Sequence, residues 1–204
     1  MKTTDYWTDD KDGYLERNRH LDPAGLEDFF GKALDGIPWR EKRRIKSVCE
    51  YGCNVGLNLS ALKNHFTGAD KYGFDLNFEA LCIANNIDGV AAEYGNLLEL
   101  PSVAEYDLVL TKGLLIHIHP DDIEKAYQNL YFQTNKYLLI CEYYNPEPVE
   151  VTYHGRDGLL FKRDFAGDLL DKYPDLKLID YGFRYHRDEY PQDDITWFLL
   201  RKEK

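Results

Sequence analysis

The chain has 204 residues, with 36 acidic and 25 basic side chains and a formal net charge of −11. This length suits one α/β domain with its own core, and we expect a single domain over residues 1–204. The acidic balance argues against nucleic acid as a substrate, because phosphate contacts need a basic surface. The chain has no stretch of about 18 apolar residues, no signal-peptide core and no C-x-x-C pair, which predicts a cytoplasmic protein without membrane contact, disulfides or a metal.

The first part of the chain is polar and aromatic. Residues 1–22 carry Trp7, Tyr14, Arg17, Asn18 and His20. Such a start is either a frayed terminus or a segment that folds over a binding site, and the aromatic side chains favour the second interpretation. A helix is predicted over residues 26–34.

Residues 47–56 read S-V-C-E-Y-G-C-N-V-G and are the most informative part of the chain. They predict a short apolar strand with Glu50 at its end, followed by a turn that carries Gly52 and Gly56. Apolar side chains at positions 59, 62 and 66 then predict a helix over residues 57–66. A strand, a glycine turn and a helix in this order are typical of a nucleotide-binding crevice at the carboxyl end of a parallel strand.

Two common nucleotide-binding motifs do not fit this turn. A dinucleotide fingerprint, G-x-G-x-x-G, needs glycine where Asn54 and Leu57 stand, and a P-loop needs a Lys directly after Gly56. Leu57 therefore argues against a nucleotide-dependent oxidoreductase, since the close contact of helix and strand in those enzymes requires glycine at this position.

The turn resembles the acidic-x-G-x-G-x-G turn of class I S-adenosylmethionine (SAM) methyltransferases, with Glu50, Gly52, Asn54 and Gly56 at its four positions. Asn54 departs from the pattern, but Asn tolerates left-handed backbone better than other non-glycine residues, so we expect the turn to form. The resemblance implies that these residues bind SAM, and we interpret Cys53 as a residue that shapes the turn. The alternative is a chance strand, turn and helix of any α/β domain.

Two further predicted strands end in residues suited to the same cofactor. The sequence Y-G-F-D-L places Asp75 at the end of a second strand, where a carboxylate can accept hydrogen bonds from both ribose hydroxyls, and Leu76 follows it. A third strand over residues 90–94 leads to Asn96 and Leu97. The resemblance to the methyltransferases implies that Asn96 lies at the adenine amino group and that Leu97 supplies a backbone N–H.

The rest of the chain continues the alternation of strands and helices. A fourth strand over residues 106–111 contains D-L-V, which resembles the F-D-L-V signature of these enzymes, and Lys112 begins the cofactor-facing loop after it. There follow a helix over residues 121–135, a strand over 136–142, a helix near 165–173, and two strands over 176–185 and 194–201. The predicted fold is a Rossmann-like α/β sheet of seven strands, with an antiparallel last strand and helices on both faces.

The connection over residues 143–163 exceeds the length of about 12–15 residues above which loops are usually functional, and it is rich in Tyr and basic residues. It belongs to a wider resemblance to the pseudaminic acid biosynthesis-associated methyltransferases. The matching stretches are W-(x6)-Y-x-x-R-N from Trp7, E-Y-G-C-N-V-G-L-N-L, L-T-K-G-L-L-I-H-I-H-P, and Y-Y-N-P-x-P followed by F-K-R-D-F-A-G. They extend over essentially the whole chain.

This second resemblance implies a bacterial enzyme that methylates a nonulosonic (pseudaminic-type) acid sugar or its nucleotide-linked precursor. Two alternatives stay open. One is a SAM-binding protein without activity that serves as an assembly or regulatory partner. The other is a methyltransferase of unrelated small-molecule metabolism.

Methyl transfer to a hydroxyl or amine releases a proton, so we expect a base near the acceptor. His117 is the first candidate, with Tyr144 and His154 as competitors, although a lone His in the apolar stretch L-L-I-H-I also suits ordinary packing. Arg17 is expected on the methionyl carboxylate of SAM. The predicted substrate contacts, whose bases suit a carboxylate or phosphate and whose rings suit a sugar, are Tyr143, Asn145, Tyr153, Arg156, Lys162 and Arg163.

Overall fold

A seven-stranded sheet forms the centre of the computed structural model, which describes residues 7–8, 23–99 and 104–203. Its strands are β1 (Ser47–Tyr51), β2 (Asp70–Asp75), β3 (Val90–Tyr94), β4 (Tyr106–Lys112), β5 (Thr134–Glu142), β8 (Leu176–Arg184) and β9 (Ile195–Lys202). A separate hairpin consists of β6 (Val149–Tyr153) and β7 (Arg156–Lys162). The order in the large sheet is β3-β2-β1-β4-β5-β9-β8, and β9 runs antiparallel to both of its neighbours. The predicted seven-stranded sheet with an antiparallel last strand is confirmed.

Helices cover both faces of this sheet. They are α1 (Pro23–Ala33), α2 (Trp39–Lys42), α3 (Leu57–Ala61), α4 (Phe78–Ala84), α5 (Ile123–Gln133), α6 (Phe165–Lys172) and a 3-10 helix (Leu115–His117). The two-residue alternation of a strand separates two apolar cores: Leu108 and Leu110 pack with α1 and α3, whereas Val109 packs with α5 and α6. Of the helices that the described ranges contain, none is long and apolar enough to cross a bilayer.

The structure differs from the sequence prediction at three places. The helix predicted over residues 57–66 ends at Ala61 and continues to Phe66 as hydrogen-bonded turns. The short helix α2 was not predicted. The connection over residues 143–163 contains the β6–β7 hairpin, whose two-residue loop holds His154 at φ 48° and Gly155 at φ 75°. Positive φ at both loop residues is the geometry of a tight hairpin turn, which lets the two strands pair.

The parallel strands bring their carboxyl ends to one edge of the sheet. In the register of the strands, Tyr51 at the end of β1 lies beside Phe74 on β2 and beside Thr111 on β4. On the other side of β2, Asp75 lies beside Tyr94. Ligands of open α/β sheets bind at this edge, so the residues that follow these strands form the candidate site.

Candidate active site

The turn after β1 is left-handed at three positions and is anchored to β2. Gly52, Asn54 and Gly56 have φ values of 73°, 47° and 80°. Asn54 therefore adopts the left-handed conformation that the sequence analysis expected of it. The N–H groups of Gly52 and Cys53 both donate to the Phe74 carbonyl, at 2.7 and 3.1 Å. The Asn54 side chain accepts from the next backbone N–H at 2.6 Å. The turn is therefore fixed by hydrogen bonds before any ligand binds.

Two glycines of the turn sit where a side chain does not fit. A Cβ atom on Gly52 would lie 3.1 Å from Leu114 Cδ1, so this turn touches the loop after β4. A Cβ atom on Gly56 would lie 2.9 Å from Ile87 Cδ1 and 3.1 Å from Ala84 Cβ, so the helix α3 begins in close contact with α4. The buried Cys53 side chain packs in the first core, in agreement with its interpretation as a residue that shapes the turn.

We expect Gly56→Ala to destabilise the protein by about 2 kcal/mol or more, because a Cβ at φ 80° is strained and would press on α4. The control is Gly68→Ala, since a Cβ on Gly68 would meet no atom within 4 Å. Urea denaturation of both variants measures the difference. Equal stability of the two variants would show that the turn tolerates a side chain.

Glu50 is a buried carboxylate with one unsatisfied oxygen. Its Oε1 atom accepts a hydrogen bond from Asn58 Nδ2 at 2.6 Å, whereas none reaches its Oε2 atom from the part of the chain that the structure describes. Burial raises the pKa of Glu50 to about 8, against the opposing effects of the Asn58 hydrogen bond and the Lys112 charge. A buried oxygen without a donor is costly. With a pKa of about 8, Glu50 holds a proton near pH 7, and a cationic or N–H-bearing ligand beside it would favour the ionised form.

Asp75 joins the turn to the end of β2. Its Oδ2 atom accepts from the Asn54 N–H at 2.8 Å and its Oδ1 atom accepts from the Asn77 N–H at 2.9 Å. Burial raises the pKa of Asp75, and these backbone hydrogen bonds oppose the rise. Because each carboxylate oxygen can accept two hydrogen bonds, both oxygens keep capacity for a diol. Leu76 follows and is half-buried at the same edge.

The loop after β3 is held beside Asp75. The Gly95 N–H donates to the Asp75 carbonyl at 3.2 Å. The Asn96 side chain accepts from the Leu98 N–H at 2.9 Å and donates to Glu99 at 3.3 Å. Leu97 is buried, and its carbonyl accepts from Asn129 Nδ2 at 2.6 Å. The two residues assigned to adenine thus lie at the same edge as the turn, in a loop fixed from both sides.

Glu142, at the end of β5, organises the loop after β4, and the sequence analysis did not identify it. Its Oε1 atom accepts from the N–H groups of Leu114 and Leu115, both at 3.1 Å, and its Oε2 atom accepts from that of Ile116 at 3.3 Å. Burial raises the pKa of Glu142 to about 7, although these N–H groups oppose the rise. The sequence feature that could have identified Glu142 is an acid at the end of an apolar strand, as at Glu50.

His117 ends the 3-10 helix that Glu142 holds. Its Nδ1 atom lies 2.7 Å from the Leu159 carbonyl, which only accepts, so Nδ1 carries the proton and Nε2 keeps its lone pair. Its ring centroid lies 4.2 Å from that of Trp7 and 5.4 Å from that of Tyr153. Burial lowers the pKa of His117 to about 4. His117 is therefore neutral near pH 7, in an aromatic wall built from three segments of the chain.

The other two candidates for the base lie closer to solvent. His154 is exposed in the turn of the β6–β7 hairpin, 4.3 Å from the Tyr153 ring. Tyr144 is 43% exposed and lies 5.9 Å from the Phe198 ring. Neither side chain is as enclosed as His117. A base that acts in a site closed to water has to be buried. His117 is accordingly the candidate that the geometry favours.

The predicted substrate contacts differ in the partners that they already have within the protein. Lys162 lies over the Tyr143 ring at 5.1 Å from its centroid. Arg163 forms an ion pair with Asp168 at 2.9 Å, which ties the hairpin to α6. Arg156 is exposed beside the hairpin turn, and Asn145 donates to the Glu147 carbonyl at 2.6 Å. Lys162 therefore suits an anionic ligand beside the Tyr143 ring, whereas Arg163 pairs with an acidic side chain of the protein.

Parts of the predicted site lie outside the described residues, namely Tyr14, Arg17, Asn18 and His20. Trp7 is described, and its ring packs on His117 and lies 6.2 Å from Tyr153. Among the described residues, no group of three or more His, Cys, Asp or Glu side chains is arranged to hold a metal ion.

Comparisons with known proteins give a match in structure only. No protein-family model matches the chain. No curated protein matches it in sequence. Magnesium protoporphyrin IX methyltransferase (ChlM) from Synechocystis PCC 6803, with bound S-adenosylhomocysteine (SAH), is similar with a TM-score of 0.66 at 14% identity, over 88% of this chain and 84% of that chain.

Two other solved structures are similar over nearly their whole length. The 1,6-didemethyltoxoflavin-N1-methyltransferase of Burkholderia thailandensis, with its substrate and SAH bound, has a TM-score of 0.63 and 17% identity, over 91% of this chain and 92% of that chain. CalS10, a SAM-bound amino pentose methyltransferase from Micromonospora echinaspora, has a TM-score of 0.65 and 12% identity, over 92% and 94%. At these identities the likeness establishes architecture alone, and the chain has the fold of class I SAM-dependent methyltransferases.

Proposed function

We propose that this protein binds SAM and transfers its methyl group to a small-molecule acceptor. The observation that carries the proposal is the juxtaposition of two carboxylates across one anchored glycine turn: Glu50 with its unsatisfied Oε2 atom, and Asp75 with spare acceptor capacity. A ligand that combines a cationic group with a ribose diol matches both carboxylates. SAM has these two features.

The cofactor-binding residues divide by chemistry. Glu50 would accept from the cationic methionine portion, and Asp75 would accept from the ribose hydroxyls. Asn96 and Leu97 would contact adenine, while the tight backbone of Gly52 and Gly56 lets the ligand approach the turn. The predicted contacts of Leu76, Lys112 and Arg17 belong to the same assignment. When bound, SAM supplies a methyl group on a sulfonium carbon, and the protein has to orient the acceptor and exclude water.

His117 is the residue that we propose as the base that takes the proton from the acceptor. Its Nδ1 proton is held by the Leu159 carbonyl, so its Nε2 atom is the one that can accept a proton. The Gly52–Leu114 contact brings its loop against the cofactor turn. Burial, which lowers the pKa of His117 to about 4, keeps the ring neutral and ready to accept. It also makes His117 a weak base, suited to a proton that is lost as the methyl group transfers.

We infer a narrower acceptor class, a nonulosonic-type acid sugar or its nucleotide-linked precursor. The support is the resemblance of residues 110–120 and 143–167 to the pseudaminic acid-associated methyltransferases, together with Lys162 and Arg156 on the β6–β7 hairpin. Basic side chains on this hairpin stand out in a chain of net charge −11. A ligand with a carboxylate or phosphate group needs such side chains to bind. CalS10 acts on an amino pentose and has the same architecture.

The test is methyl transfer from labelled SAM onto a panel of nonulosonic acids, their CMP forms and their UDP-sugar precursors. We expect label in at least one of these compounds. Label only in other small molecules would contradict the sugar assignment and leave the methyltransferase assignment standing. SAM binding without transfer to any acceptor would instead favour the non-catalytic alternative.

We expect His117→Gln to lower kcat by about 10²–10⁴-fold while SAM affinity changes less than about twofold, because the side chain serves the acceptor. The matched control is His119→Gln, which replaces a half-exposed His two residues later that accepts from the Asp121 N–H. Steady-state rates with labelled SAM and calorimetric SAM titration separate the two effects. Equal kcat values for both variants would assign His117 to packing.

A further inference from the structure

Residues 39–46, which read W-R-E-K-R-R-I-K, form the most basic segment of an acidic protein. Five of the eight residues are bases and one is an acid, although the whole chain has a net charge of −11. We call this segment the 39–46 patch. It includes the short helix α2 and leads directly into β1.

Most of the basic side chains of the 39–46 patch are exposed and lie around an exposed indole, whereas Ile45 is buried in the core. Trp39 is 63% exposed, and the guanidinium carbons of Arg40 and Arg43 lie 5.5 and 5.9 Å from the centroid of its ring. Arg44 and Lys46 are exposed as well. An exposed aromatic ring with two guanidinium groups beside it combines apolar area with positive charge, which suits an anionic partner.

Two of the acids near the patch, Glu41 and Asp107, are already occupied. Glu41 pairs with Arg201 at 3.7 Å, and Asp107 accepts from the Lys46 backbone N–H at 2.7 Å and pairs with Lys136 at 3.0 Å. In contrast, within residues 7–8, 23–99 and 104–203 no ion pair reaches Arg40, Arg43, Arg44 or Lys46. Glu41 and Asp107 therefore hold the segment in place, and four of its bases are without an ion pair among the described residues.

The patch lies at the opposite edge of the sheet from the candidate active site. It precedes the amino end of β1, whereas Glu50 and Gly52 lie at the carboxyl end. The five residues of β1 span about 16 Å, at 3.3 Å per residue. A partner bound to the patch would leave the cofactor edge open.

We propose that the 39–46 patch docks the protein on an anionic membrane surface. Tryptophan at the level of the lipid headgroups, flanked by Lys and Arg, is the usual chemistry of a peripheral anchor. A planar membrane would contact the domain only at the end that carries the 39–46 patch. An extended nucleic acid would run onto the acidic remainder of the chain, which opposes it. Peripheral docking needs no spanning helix, so the proposal revises the expectation of no membrane contact that the lack of an apolar stretch suggested.

The test is co-sedimentation of the full-length protein with vesicles of phosphatidylcholine, with and without about one third phosphatidylglycerol. We expect binding only to the anionic vesicles, and weaker binding at high salt. At about fivefold per base, Arg40→Gln with Arg43→Gln should lower the partition coefficient at least about tenfold. Trp39→Ala should lower it by a similar factor while leaving part of the salt dependence.

The matched control is Lys125→Gln with Arg187→Gln, which removes two exposed bases away from the patch, one at the start of α5 and one in the loop after β8. Thermal unfolding of each variant establishes that it is folded. An equal loss in the control would show that net charge, not the patch, governs binding. Absence of wild-type binding to anionic vesicles, or binding to a single-stranded oligonucleotide in preference to vesicles, would overturn the proposal. SAM titration is independent of all these outcomes.

Discussion

Asp75→Ala is expected to weaken SAM binding by about 10–100-fold. A hydrogen bond to a charged group contributes about 1.5–3 kcal/mol, and the variant removes the acceptor proposed for the ribose hydroxyls. It also removes the acceptor that holds the Asn54 N–H at 2.8 Å, so the cofactor turn loses one of its anchors. Isothermal titration calorimetry with SAM measures the change directly.

Two further variants separate ligand binding from general destabilisation. Asp70→Ala changes the same residue type at the other end of β2, on an exposed side chain, and should leave SAM affinity unchanged. Asp75→Asn keeps an acceptor and should lose less than Asp75→Ala. If Asp75→Ala binds SAM as wild type does, the ribose has been assigned to the wrong strand end.

Glu142→Gln is expected to destabilise the protein by about 1–3 kcal/mol and to reduce methyl transfer more than SAM binding. The amide keeps the size of the carboxyl group but replaces one oxygen with an NH2 group. That group would face an N–H from Ile116 or from the pair at Leu114 and Leu115. A buried N–H without an acceptor has a cost of this order. The loop that carries His117 would loosen as a result.

The stability effect of Glu142 has a defined dependence on pH. Because burial raises its pKa from 4.5 to about 7, the folded state binds more protons than the unfolded state between these values. The carboxyl group therefore contributes stability at low pH that is lost as the pH rises through about 7. Gln does not titrate. We expect the difference in unfolding free energy between wild type and Glu142→Gln to fall from about pH 5 to about pH 8, as measured by urea denaturation.

Glu124→Gln provides the control, since Glu124 is 67% exposed and pairs with Lys172 on the surface. Such a pair contributes at most about 1 kcal/mol, and its removal should not alter methyl transfer. A Glu142→Gln protein that matches this control in stability and rate would mean that the backbone holds the loop after β4 without the carboxylate.

The turn after β1 was predictable because its determinants are local. Glycine at positions 52 and 56 and Asn at 54 specify left-handed backbone, and the structure has positive φ at all three. The seven-stranded sheet with an antiparallel last strand was predicted from the alternation of strands and helices and from the closing pair of strands. The hairpin within residues 143–163 was not predicted, although V-E-V-T-Y alternates before the His-Gly pair that forms its turn.

The remaining features depend on contacts between distant parts of the chain. Glu142 became significant only when its oxygens met three N–H groups more than 25 residues earlier. The enclosure of His117 depends on Trp7 and Tyr153, which are brought together by tertiary packing. Arg163, a predicted substrate contact, forms an ion pair with Asp168 only five residues later, and its role in substrate binding stays a prediction. Composition gives no indication of such pairing.

The most direct test of the central claim is calorimetric titration of the purified wild-type protein with SAM, SAH and NAD. The arrangement of Glu50, Asp75 and the glycine turn predicts that SAM and SAH bind at a single site and that NAD does not. Competition between SAM and SAH would indicate that they share it. Tight binding of NAD, with no heat from SAM or SAH, would contradict the assignment of this edge to a methyl donor.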